Sequence, residues 1–139
     1  MIRIVLAVVL TTALLAVAAP SAEQADRERT TALAVEELET IQHAASQLAA
    51  ENDPVRPDES PASTTVVLSV PEPAFVDRGL FRLSEDELRW ESPFGVNHTV
   101  DTSVPLRVET PVFVTDRVSL RLSLVRFNNR TVVSVIAVV

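Results

Sequence analysis

The 139-residue chain contains no cysteine and no tyrosine, only two glycines, two histidines and one tryptophan, and its twelve basic residues are all arginine. Without cysteine there are no disulfides, no thiolate metal sites and no thiol chemistry, so apolar burial must hold the fold. Two glycines exclude a glycine-rich phosphate cradle in practice. Histidine supplies little catalytic material. His43 lies among Gln42, Ala44 and Gln47 with no metal-ligand partner three or four residues on, and reads as an exposed helix residue. His98 reads as a strand or turn residue. The run Glu85-Asp86-Glu87 lacks the alternating oxygen ligands and the glycine of a calcium loop, and reads as a solvated turn. The expectation is therefore no enzyme, no cofactor and no metal.

Charge is one-sided. All 19 Asp and Glu lie beyond residue 20, whereas Arg3 lies before it, so the remainder carries 11 minus 19, or −8. Such a surface repels nucleic acid and anionic lipid, and no local basic face offsets it.

Ile4 to Ala19 is an unbroken run of apolar residues and two threonines, preceded by Arg3 and closed by Pro20 and Ser21. Sixteen helical residues rise about 24 Å, and counting from Ile2 to Ala22 reaches the roughly 30 Å of a hydrocarbon core. Residues 1–22 are thus an expected membrane anchor with its N-terminus inside and the rest of the chain outside. The competing reading is a cleaved signal peptide and a secreted product, for which Ala16-Val17-Ala18 offers the small residues a signal peptidase requires.

From Ser21 to about Asn52 the residues are strong helix formers without glycine. Thr31, Ala34, Leu38, Ile41, Ala45 and Leu48 fall on one stripe at three- and four-residue spacings. Leu38, Ile41, Ala45 and Leu48 are the expected packing or assembly face. Glu23 to Arg29 reads as too polar for burial. Residues 53–63, with Pro54, Pro57 and Pro61, form an expected linker to an antiparallel β domain over 64–139. Its expected strands are Thr64–Val70, a hairpin of Gly79–Leu83 and Leu88–Glu91, Val96–Thr102, Val104–Glu109 with Pro105 giving an edge or late start, and a final hairpin turning at Asn128-Asn129. The last strand, Thr131–Val139, is apolar on both faces and should lie centrally, its second face covered by the helix. The fold class is α+β.

Asn97-His98-Thr99 and Asn129-Arg130-Thr131 are glycosylation sequons, making Asn97 and Asn129 candidate modification sites on an exported chain. Trp90 reads as a core anchor of its hairpin, or as a ligand platform if exposed.

A short positive start, the apolar run Ile4 to Ala19, Pro20, the helix from Ser21 to Asn52 and the strands after Ser63 together resemble type IV pilins and pilin-like proteins. The layout and the acidic, lysine-free composition also resemble small haloarchaeal membrane-anchored proteins. The resemblance implies a surface-exposed structural component of an archaeal filament or secretion apparatus that meets other pilin-like subunits. Only Met1 to Arg3 precede the apolar run and positions 4–10 carry no acidic residue, which points to an accessory or anchored component rather than a major filament subunit. A secreted or tethered envelope binding domain is the alternative.

Overall fold

The computed structural model describes residues 1–56 and 58–138; Pro57 of the expected linker and Val139 of the expected last strand lie outside them. The first element, α1, is one helix from Ile2 to Glu51 that runs through Pro20. Among the described residues eight strands follow: β1 (Ser63–Ser69), β2 (Leu80–Ser84), β3 (Glu87–Glu91), β4 (Asn97–Val100), β5 (Leu106–Arg107), β6 (Val112–Val114), β7 (Arg117–Phe127) and β8 (Arg130–Val138). The α+β class holds.

The strands form two four-stranded sheets, ordered β1-β7-β8-β5 and β4-β3-β2-β6. Among the described residues every pairing between these strands but one is antiparallel; β5 runs parallel to β8 through Leu106 and Val133. In the first sheet the β7–β8 register sets Leu120, Leu122 and Leu124 opposite Ala137, Val135 and Val133, so alternation sends one apolar set inward. In the second sheet the inward pairs are Phe81 with Trp90 and Leu83 with Leu88. The Phe81 and Trp90 rings lie 5.0 Å apart and tilted, an arrangement aromatic quadrupoles favour.

The second half of α1 packs on both sheets, touching β1, β3, β4, β7 and β8. Leu38 and Ile41 are fully buried, Ala45 and Leu48 are buried, and all four join one contiguous core with Leu68, Phe81, Leu88, Trp90, Leu120 and Val133. This face is therefore occupied within the chain. The stripe also continues downward through Ala34, Thr30 and Asp26 at four-residue spacing. Thr30 is buried in place of the expected Thr31, which is only half-buried. Within Glu23 to Arg29, read as too polar for burial, Asp26 is the exception: it is buried, while Glu23, Glu28 and Arg29 are exposed.

Within the expected linker Val55 bridges Val125, and the Arg126 N–H donates to the Val55 carbonyl at 2.7 Å. The second face of β8 departs from expectation as well. The helix and the second sheet cover the same inner face; on the outer face Val125 and Val132 are buried at one end, while Ile136 at the other is 56% exposed. The final hairpin turns on Asn128 and Asn129, at φ 50° and 62°. Asparagine tolerates this left-handed region better than other side chains. The β2–β3 turn is tighter than Ser84–Glu87, since Ser84 already pairs with Glu87, and its Asp86 also takes a positive φ, 59°.

Candidate functional site

Two loops of the sheet domain meet the lower helix and define the candidate site. The first is the β1–β2 connection. Both carboxylate oxygens of Asp26 accept the Ala74 N–H, at 3.1 and 3.0 Å, and Oδ2 also accepts the Phe75 N–H at 2.8 Å. Three turns up the helix, Glu37 Oε2 accepts the Ser69 N–H at 3.1 Å. Two helix carboxylates thus fasten the start and the middle of this connection. Hydrogen bonds from the Phe75 and Ala74 amides hold the Asp26 carboxyl below its ordinary value of 3.8, burial works against them, and the Val76 amide and Arg29 add to the lowering.

This sets the direction of a pH effect. With its folded pKa depressed, Asp26 contributes stability that is present above the ordinary value and is lost as pH falls through the folded pKa. Asp26→Asn keeps one acceptor for two donors. It should melt lower at neutral pH, and its melting temperature, followed by circular dichroism, should decline less steeply below about pH 4 than that of the native chain. Parallel acid limbs in the two proteins would show that the Asp26 contact is not formed.

The second loop is the β3–β4 turn, Ser92–Val96. Gly95 takes φ +79° there, and the Phe94 N–H donates to Ser92 Oγ at 3.3 Å. The Arg27 guanidinium stands 4.0 Å from the centroid of the Phe94 ring, within cation–π range. Between this turn and the helix runs an open groove of about 1110 Å³. Its helix wall carries Arg27, Glu28, Thr31, Val35, Glu36 and Glu39, and its hairpin wall carries Phe94, Val96 and His98. Apolar Val35, Phe94 and Val96 thus share the groove with three glutamates and one arginine. The arrangement can seat an apolar segment or ring and favours cationic groups at its rim.

The residues singled out in the sequence fall in separate places. His98 is on β4 opposite Trp90, half-buried, and lines the groove; His43 is exposed on the helix. Trp90 is 1% exposed and belongs to the core, so it is not a platform. Asn97 is exposed at the start of β4 and, by strand alternation, points away from the groove that His98 lines. Asn129 is exposed at the tip of the last hairpin. In the acidic run, Asp86 Oδ1 accepts the Leu106 N–H at 2.8 Å, tying the β2–β3 turn to β5 of the other sheet. Among the described residues no three His, Asp or Glu side chains converge as a metal site. Asp26 and the groove were missed. The only available signal was the four-residue spacing Asp26, Thr30, Ala34, Leu38, which places the carboxylate on the core stripe.

Below this site α1 is bare. Its apolar window has a mean hydropathy of 2.5, and none of it is covered by the rest of the chain. Fold and site therefore define an α+β protein whose N-terminal helix is long and apolar enough for a single-pass membrane anchor and whose small two-sheet domain is built around the same helix. The chain belongs to the family described as Domain of unknown function (DUF7311), whose model matches residues 1–138. No curated protein and no solved structure matches it.

Proposed function

We propose that this chain is a membrane-anchored, surface-exposed, non-catalytic pilin-like component, accessory or structural, of an archaeal filament or secretion apparatus. One observation carries the reading: a single unbroken helix whose first half has no partner in the chain and whose second half is the core of the sheet domain. A bare apolar half demands either lipid or the equivalent halves of other subunits. The N-terminus lies inside and the sheet domain outside, where Asn97 and Asn129 are exposed and could carry glycans without loss of burial.

The test is the mature N-terminus together with extraction. The protein is expected to begin near Met1 and to stay with membranes after high-salt and carbonate washing, with genes for a secretion ATPase and a polytopic platform protein nearby. A mature terminus at Ala19 or Ala22, with the protein in the medium, sinks the reading. The second reading, a secreted or tethered envelope binding domain, is favoured by the groove between Val35 and Phe94. Burial of Trp90 removes the alternative platform, so under that reading Val96→Asp should abolish ligand retention without lowering the melting temperature.

A further inference from the structure

Phe113 and Phe127 are exposed on β6 and β7, and Phe81 and Trp90 are buried, which leaves Phe75, 69% exposed, and Phe94, 41% exposed, as the exposed rings of the two loops that meet the lower helix. Both exposed rings stand at one level of α1. The Asp26 carboxylate holds the Phe75 amide, and Arg27 stacks on Phe94. That level has a defined height above the apolar run. Glu23 is the first charge after Arg3, and Asp26 follows it by three residues, about 4.5 Å along the axis. The polar layer on each side of a hydrocarbon core is roughly 5–7 Å thick.

We infer that Phe75 and Phe94 form an aromatic lip that sits in the headgroup layer of the membrane and presses the sheet domain onto it. The inference rests on the anchor proposed above. The β1–β2 connection is prepared for such a place. Pro71 and Pro73 stiffen it, and the Ala74 and Phe75 amides are already paired with Asp26, so entering a water-poor layer strands neither donor. Phenylalanine, like Trp and Leu on the apolar face of interfacial helices, offers apolar area to the acyl boundary at this depth. Charge selects the lipid: Glu23, Glu28, Glu72 and Asp77 outnumber Arg27, Arg29 and Arg78 around the lip, so the contact is apolar insertion into a zwitterionic surface rather than attraction to an anionic one.

The absence of cysteine makes the test clean. Three single variants of the full chain, Thr12→Cys, Phe75→Cys and Glu85→Cys, are spin-labelled and reconstituted in phosphatidylcholine vesicles, and collision with oxygen and with a soluble nickel chelate is measured. Position 85 lies at the far end of the domain, since its neighbour Asp86 binds Leu106, while Ser103, three residues before Leu106, meets Gln42 and Ser46 high on the helix. The label at 75 is expected to show several-fold less nickel collision and more oxygen collision than the label at 85, approaching the label at 12. If 75 behaves as 85 does while 12 is shielded, the lip is overturned and the anchor stands. If 12 is itself open to nickel, both fall.

Discussion

Leu38→Asp or Ile41→Asp is expected to abolish the cooperative melting transition of the sheet domain. Both side chains are fully buried and touch a core shared by the two sheets. Losing either forfeits on the order of 1.5–3 kcal/mol of apolar burial, and the unpaired carboxylate adds several more. Together these rival the roughly 5–15 kcal/mol of net stability that a domain possesses. Leu33→Asp, the same chemical change at an exposed position of the same helix, should leave the transition in place. Circular dichroism of the full chain in detergent distinguishes them. Native melting of both core variants would mean that the stripe does not pack on the sheets.

Gly79→Ala should also destabilise the domain strongly, for a different reason. A Cβ at this position would stand 2.5 and 2.6 Å from Cζ2 and Cη2 of Trp90 and 2.7 Å from the Glu91 carbonyl oxygen. Neither neighbour can retreat, because Trp90 is locked in the core against Phe81 and the carbonyl belongs to β3. Overpacking of this kind costs about 1–3 kcal/mol. Trp90 is the sole tryptophan, so its emission reports the displacement directly. Gly95→Ala is the contrast. It meets nothing within 4 Å but sits at φ +79°, and so carries only the left-handed penalty of about 1–2 kcal/mol with unchanged Trp90 emission. Identical spectra for Gly79→Ala and the native chain would refute the close approach.

The helix and the final hairpin were legible in the sequence because their periods are long and regular. Ala34 to Leu48 repeats at helical spacing over four turns, and Val118 to Leu124 alternates over a strand of eleven residues. The division into two sheets was not legible. It depends on which strands pair, β2 and β3 with β4 and β6 but with none of β1, β7 and β8, and no local pattern carries that choice. The unexpected exposure of Ile136 has the same origin: a second sheet supplied the inner cover, so the helix was not needed on the outer face. Asp26 was misread because charge normally argues for solvent, whereas here the amides of Ala74 and Phe75, nearly fifty residues away, replace water around the carboxylate. The groove is likewise a product of distance along the chain, bringing His98 beside a helix wall that ends at Glu39.

Because α1 serves both as the apolar segment and as the spine of the sheet domain, the two halves share one continuous helical rod. From Asp26 to Glu51 the rod extends about 37 Å, so a tilt of about 20°, ordinary for a membrane helix, would sweep the far end sideways by about 13 Å. Pro20, where one backbone hydrogen bond is missing, is the single place along the rod where bending is cheap. In a bilayer, thickness and the packing of neighbouring helices would therefore steer where the hairpin tips at Asn129 and Asp86 point. The domain would act as a pointer whose angle is set from below.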